Sequence, residues 1–408
     1  MRLFFQGKKK YEAQSLQAIA WRKFRKNRQG MVLLCFLVTV TIMAVLGYLI
    51  TPDSTPHANE QILEVRLLKP LSKVSFLQIA KNHPEEKRNS LQKMLFGQPG
   101  TSISIPVSSC FFSADSVVVT LFNESPPYNI ARYNLADVLY PLKEGVPVLS
   151  DGKNCTFQDI HNNVYHVPVA ELQARVKQCI KNKTYYLGTD RYGRDVLSQL
   201  IIGARVSLSV GFVSVFIALV IGVFLGAISG YFRGIVDDVI MWFINVVWSI
   251  PTLLLVIAIS FVLGTGFWQI FIAIGLTMWV DIARVVRGQV ISLREKEFVE
   301  SSKALGFGKL TIIFKHILPN ITGTIIVVAT ANFASAILTE ASLSFLGIGV
   351  QPPMPSWGTM IKENYGYIIL DYAYLAVVPG FAIMTLVLCF MLIGNVFRDV
   401  MDVKESES

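Results

Sequence analysis

Charge is scarce in this chain: 16% of its 408 residues are Asp, Glu, Lys or Arg, against 52% hydrophobic residues and a mean hydropathy of +0.49. Such a composition excludes an ordinary soluble enzyme and fits several membrane spans. Catalytic signatures are lacking too. No G-x-x-x-x-G-K-[ST] phosphate loop, no H-E-x-x-H and no G-x-S-x-G occurs, and none of the five histidines falls in a long apolar run. The chain therefore does no covalent chemistry alone, and any nucleotide that drives it has to bind another subunit. A net charge of +9 would suit nucleic acid, but the basic residues cluster beside apolar segments, which points to membrane topology and to no nucleic-acid partner.

The N-terminus holds Lys8, Lys9, Lys10, Arg22, Lys23, Arg25, Lys26 and Arg28, then an apolar run from Met31 to Ile50. Its length, roughly the 20 residues that cross a hydrocarbon core, predicts an anchor that starts inside. A cleaved signal peptide competes, but its apolar part is ~7–15 residues and ends in small residues, and Leu49-Ile50-Thr51-Pro52 offers no such site.

Hydropathy then drops, prolines appear, and short β-like runs such as Ser116 to Phe122 alternate with turns. This predicts an extramembrane α+β insert at 52–187, long enough for its own core. Cys110, Cys155 and Cys179 lie in it, where oxidation is permitted, whereas Cys35 and Cys389 lie in apolar spans. Three cysteines allow one disulfide and one leftover thiol, and Cys155–Cys179 is the expected pair because the two are close in sequence. Asp159, His161 and His166 near Cys155 match no strong metal template, so no metal site is expected.

Further apolar segments run over 206–228, 239–263, 267–286, 321–338 and 374–397, giving six spans with the first. Alternation from an inside N-terminus puts the seven cations Arg284, Arg287, Arg294, Lys296, Lys303, Lys309 and Lys315 on one inner loop, and the tail from Arg398 inside as well. Asp281 is the exceptional acid within the spans, and a structural ion pair with Arg284 or Arg287 is expected. Pro251 and Pro379-Gly380 fall in mid-span, where a helix hydrogen bond is lost.

The polar stretch 292–319 reads as two helices joined at a glycine. Ser292 and Glu295 have capping-box spacing, Gly306 suits a left-handed helix end, and Leu310, Ile313, Phe314 and Ile317 form one apolar stripe ahead of Pro319 as the start of the next helix.

Glu300-Ser301-Ser302-Lys303-Ala304-Leu305-Gly306, followed by Leu318-Pro319, resembles the Glu-Ala-Ala…Gly…Leu-Pro signature of permease subunits of bacterial binding-protein-dependent ABC importers. Ser301 and Ser302 stand where that signature has alanine, and His316-Ile317-Leu318-Pro319-Asn320 resembles the form found in the peptide branch. The stretches 187–195, 203–208 and 340–347, with Pro355-Ser356-Trp357-Gly358, are similar to the C-type permease of dipeptide, oligopeptide and nickel importers. The insert is longer than that family's usual first outer loop.

The resemblance implies an all-α polytopic protein of the type I ABC importer permease fold with six transmembrane helices; the extracytoplasmic α+β insert is read from the residues alone. Together with the hydropathy reading it divides the chain into a cytoplasmic basic segment at 1–30, a first span at 31–51, the insert at 52–187, the permease domain at 188–400 with its coupling loop at 292–319, and a cytoplasmic tail at 401–408. Phe298, Glu300, Ser301, Ser302, Ala304, Leu305, Gly306, Leu318 and Pro319 would dock on an ATPase. Asp190, Gly193, Arg194, Asp195, Glu340 and Trp357 would lie at an outer gate or against the binding protein. The implied partners are a homologous second permease, two ABC ATPases carrying ATP and Mg, an extracytoplasmic substrate-binding protein and the lipid bilayer of the bacterial inner membrane, with both termini cytoplasmic and no cofactor on this chain. Peptide is the expected cargo. A nickel or other small-solute importer, a proton-driven secondary carrier, and an anchored outer-domain protein with its spans as scaffold are the competing readings.

Overall fold

The computed structural model describes residues 16–402 except 83–87, 124, 125, 127, 128 and 265, so Lys8, Lys9, Lys10 and the tail beyond 402 lie outside the described residues. The chain opens with α1 (Leu16–Lys26) and α2 (Arg28–Val45). A mixed region follows, with β1 (Ser72–Ala80), α3 (Ser90–Phe96), β2 (Ser102–Ser113), β3 (Ser116–Leu121), β4 (Ile130–Asn134) and α4 (Leu135–Leu139). It closes with β5 (Leu149–Ser150), β6 (Asn154–Gln158), β7 (Val164–Pro168), α5 (Val169–Gln178) and β8 (Ile180–Tyr185). The remainder is helical: α6 (Val196–Phe232), α7 (Gly234–Trp248), α8 (Thr252–Leu263), α9 (Phe267–Arg294), α10 (Glu297–Ala304), α11 (Lys309–Leu346), α12 (Trp357–Asn364) and α13 (Tyr374–Asp402).

Two compact units emerge, one formed by 1–40, 210–339 and 383–408, the other by 41–209 and 340–382. In the second, β4-β3-β2-β1-β8 form an antiparallel sheet and β5-β6-β7 a smaller one. Strand alternation lets β1 serve two cores. Val74 and Phe76 join Ile62, Val65 and Tyr185 on one face, while Leu77 and Ile79 face Val107, Val117, Val119, Phe157, Leu172 and Val176 on the other. The expected β-run from Ser116 is strand β3.

Cys110, Cys155 and Cys179 are free thiols, so the expected Cys155–Cys179 disulfide is not formed. Cys155 sits in β6, paired with Val167 of β7, while the Cys179 backbone ends α5 and accepts from Gln78 N of β1. Nearness in sequence brought both into one core without joining them. Asp159 is engaged by Asn163, Tyr165 and the backbone of His161, and His166 Nδ1 lies 2.9 Å from Thr156 Oγ1, so the loop around Cys155 is closed by its own hydrogen bonds.

Among the described residues five helices (α2, α6, α9, α11 and α13) are long and apolar enough to cross a membrane, or six if the bent pair α7 and α8 crosses as one. That pair turns by 92°. The break falls at Ser249–Pro251, because proline supplies no N–H to the preceding turn and forces Ile250 out of helical geometry. Pro379 instead stays inside α13, one and a half turns from its start. In the first unit α6 lies close on α9: a Cβ on Gly226 would come within 2.4 Å of the Ala283 carbonyl oxygen, and Gly222 and Gly230 meet Ile282 and Val290 one turn to either side. Small residues four apart are what allow such backbone approach.

Candidate functional site

The polar stretch departs in detail from its sequence reading. Nothing in Val290–Arg294 stops a helix, so α9 continues through Ser292 to Arg294, and the Ser292–Glu295 capping box is absent. The short helix begins at Glu297 after Lys296 without a side-chain cap. Its end is as expected. Gly306 has φ +80°, and Gly306 N and Phe307 N return to the carbonyls of Lys303 and Ser302, closing a left-handed cap. Phe307 then tilts against His316, ring centroids 5.6 Å apart, which sets the bend.

Val299 and Ser302 face inward, and Ser302 Oγ donates to the Phe298 carbonyl at 2.8 Å. Phe298, Glu300, Ser301, Ala304, Leu305 and Gly306 are all exposed, Leu305 to 76%. One face of α10 therefore anchors it and the other offers two apolar side chains and a carboxylate. Beyond the bend, Ile312, Ile313 and Ile317 are buried whereas Leu310 and Phe314 are exposed, so the buried stripe is rotated by about one residue from the expected one. No new helix starts at Pro319. Residues 312–317 form a wide π-helical turn that runs into Leu318, half-buried, and exposed Pro319, and the wide turn accommodates the missing proline N–H.

What roots this loop was not visible in its own sequence. Asp237, at the start of α7, receives Arg287 Nε and Nη2 of α9 at 2.7 and 2.6 Å, and Ser229 of α6 donates to the same carboxylate. Arg233 pairs with Glu295 at 2.6 Å, the Arg294 guanidinium lies 5.6 Å from the Tyr231 ring and Lys309 lies 5.4 Å from Phe232. The corner between α6 and α7 thus holds both ends of the loop.

In the second unit, 188–195 is a closed turn. Asp190 accepts from Tyr192 N, Arg194 N and Arg194 Nε, and Arg194 reaches on to Glu363 at 2.5 Å. Arg191 and Asp195, although four residues apart, do not pair: Asp195 caps α6 through Ser198, while Arg191 lies over the Tyr192 ring. Burial holds the Asp195 carboxyl above the usual carboxylate range, against the two Ser198 hydrogen bonds. Gly193 has φ +74°, and a Cβ there would sit 1.8 Å from the Ile62 carbonyl oxygen. Trp357 packs against Gly203, where a Cβ would come within 2.9 Å of its ring, and donates Nε1–H to the Leu200 carbonyl at 2.9 Å, while Glu340 is fully buried and accepts from Ser344 Oγ at 2.6 Å. Asp190, Arg194, Asp195, Glu340 and Trp357 are each at most 6% exposed, so they shape this unit from within.

The family described as the binding-protein-dependent transport system inner membrane component matches residues 222–403, and the N-terminal transmembrane domain of oligopeptide transport permease C matches residues 15–70. The glutathione transport system permease protein GsiD of Pectobacterium atrosepticum is 37% identical over 223 residues, covering 55% of this chain and 74% of that protein. The oligopeptide permease OppC of Haemophilus influenzae is 41% identical over 221 residues (54% and 71%), and the dipeptide permease DppC of Alkalihalophilus pseudofirmus 43% over 220 residues (54% and 72%). The chain belongs to this permease family.

As an ABC importer permease it is a multi-span inner-membrane transport subunit and not itself an enzyme, and in such systems ATP and Mg belong to the ATPase partners. The family matches flank the β-rich insert, whose strands lie between residues 72 and 185. Of the residues singled out from the sequence, those expected to dock on an ATPase are gathered on one exposed face, apart from Ser302, which turns inward, and Leu318 and Pro319, which lie beyond the bend. Ser229, Arg233, Asp237 and Phe307 were missed, and Arg287 was expected on Asp281 instead of Asp237. Only the basic and aromatic density around them hinted at a role.

Proposed function

We propose that this chain is the C-type permease of a peptide importer. It pairs with a homologous second permease, two ATPases and a binding protein, and both its termini are cytoplasmic. Peptide is the cargo because the similar permeases are named for glutathione, oligopeptides and dipeptides.

The observation that carries the coupling role is the exposed face of α10. A short helix presenting Phe298, Glu300 and Leu305 outward, fixed behind by Val299 and Ser302, suits a groove on another protein. Closure of the ATPases would push α10, and the Asp237–Arg287 link would pass that push to α6, α7 and α9. Asp190, Gly193, Arg194, Asp195, Glu340 and Trp357 then act as the rigid frame of an outer gate. Their burial favours that role over direct contact with the binding protein.

The test is Glu300→Lys combined with Gly306→Asp in the assembled importer. Both side chains would project into open space, so the permease should fold while ATP-driven peptide uptake and ATPase association are lost. Normal uptake and normal association in that variant would sink the coupling assignment.

A further inference from the structure

Asp281 lies within α9, yet neither of the two cations expected to neutralise it does so. Arg287 is committed to Asp237, and Arg284 turns its guanidinium 3.8 Å from the centre of the Trp248 ring while Nη2 donates to Asn245 Oδ1 at 2.8 Å. Among the described residues Asp281 makes no ion pair or hydrogen bond, and it is exposed. A carboxylate on a spanning helix is tolerated where it meets water or a partner, and such a residue marks a site.

Beside it is a cavity of about 270 Å³ whose lining includes Trp248, Thr277, Asp281, Asn332, Ser335 and Thr339, with Asp281 as its one charge. Thr277 and Asp281 are four apart on α9, and Asn332, Ser335 and Thr339 follow at i, i+3 and i+7 on α11, so two polar stripes line one space. Thr277 and Thr339 spend their only side-chain donors on their own helices, and Asn332 spends one of its two. Thr277 Oγ1 donates to the Ile274 carbonyl at 2.8 Å, Thr339 Oγ1 to that of Ser335 at 2.8 Å, and Asn332 Nδ2 to that of Val328 at 3.0 Å. Apart from the second Asn332 N–H, what they leave for a visitor is acceptor oxygen, next to a negative charge.

We infer that this cavity binds an ammonium group of the transported peptide, with Asp281 as its counter-ion and the hydroxyl and amide oxygens of Thr277, Asn332 and Thr339 taking the N–H bonds. An ammonium carries a positive charge and up to three donors, which matches an acceptor-rich site holding a single carboxylate. A nickel ion fits poorly, since the cavity offers no imidazole or thiolate. The inference rests on the permease reading above, which supplies a peptide as the cargo, and it adds that this face of α9 and α11 lies on the cargo's path.

The experiment uses the complete importer in proteoliposomes with its binding protein. Uptake of trialanine, N-acetyl-trialanine and N-acetyl-Ala-Lys-Ala is compared in wild type, Asp281→Asn and Asp281→Glu at equal amounts of assembled complex, each peptide normalised to its own wild-type rate. Loss of one charge-assisted contact predicts that Asp281→Asn lowers trialanine uptake about tenfold, with Asp281→Glu recovering most of it. A fall for N-acetyl-Ala-Lys-Ala as well assigns the site to any ammonium, and a fall for trialanine alone assigns it to the α-ammonium.

Unaltered trialanine uptake, or an equal fall for N-acetyl-trialanine, overturns the inference. A second measurement does not depend on which peptides are carried. Ser335→Cys, which lines the same cavity and leaves Asp281 in place, should react with a cationic methanethiosulfonate reagent, more slowly when trialanine is present. Absence of reaction, absence of protection, or failure of Asp281→Asn to assemble with the second permease assigns the carboxylate to a subunit contact instead. Absence of any ATP-driven peptide uptake by the wild type would count against the permease reading and is distinct from all of these.

Discussion

Arg287 closes on Asp237 through two parallel hydrogen bonds, 2.7 and 2.6 Å long, joining residues fifty positions apart at the root of the exposed helix α10. Bidentate geometry fixes orientation as well as distance. Ser229 on α6 donates to the same carboxylate, so three helices share one charge pair. On the proposed coupling reading, a load applied to α10 would reach α6 and α7 through this pair.

The first prediction follows from that pair. Asp237→Asn should cost about 1–2 kcal/mol of stability, less than the ~3–5 expected of a fully buried pair because the Arg287 side chain is 29% exposed. Its larger effect should be on coupling, with more ATP hydrolysed per peptide imported. An unchanged ATP-to-peptide ratio in the reconstituted importer would show that the pair is merely structural.

Exposure of Leu305 gives a second expectation. At 76% exposed it contributes little to the fold, so Leu305→Asp should leave the melting temperature of the permease within the ~0.5 kcal/mol scatter of surface changes. Affinity for the ATPase should fall about tenfold or more, as for a central apolar anchor. Co-purification of ATPase with the permease, titrated by detergent-solubilised pull-down, reads this directly.

Two glycines separate conformation from space. Gly306 and Gly193 both hold positive φ, but a Cβ on Gly306 meets nothing within 4 Å while one on Gly193 would overlap the Ile62 carbonyl. Gly306→Ala should therefore cost only the left-handed penalty of about 1–2 kcal/mol. Gly193→Ala has to displace the chain at Ile62 as well, and should lower the melting temperature markedly more. Equal shifts would refute the close approach.

Much of this was legible beforehand, and the reasons for the rest are specific. Gly306 was readable because a helix end leaves a chemical mark, and β3 because alternation does. The Asp281 pairing was misjudged because spacing along a helix says which residues are near, not which of them a third residue has already claimed. Trp248 and Asn245 hold Arg284, and Asp237 holds Arg287, from positions roughly 40–50 residues away. The capping box at Ser292 failed for a related reason: the motif was present, but no residue before it ended α9. The seat of Trp357 on Gly203 joins two stretches that were both picked out, although nothing in either one names the other.

Asp195 supplies a prediction in pH. Its carboxyl is 2% exposed, its Oδ1 has no hydrogen-bond partner, and burial raises its pKa above the usual value despite Ser198. The folded state then binds this proton more tightly than the unfolded chain does. Stability contributed by the protonated acid is complete below the unfolded pKa of about 3.9 and is lost as pH rises through the higher folded value. Asp195→Asn keeps an acceptor for Ser198 N and removes the titration. Comparison of melting temperatures at acid and neutral pH should show a smaller decline across that window for the variant than for wild type, with the variant at least as stable at neutral pH. A steeper decline in the variant would mean that the ionised carboxylate, held by Ser198, is the stabilising form.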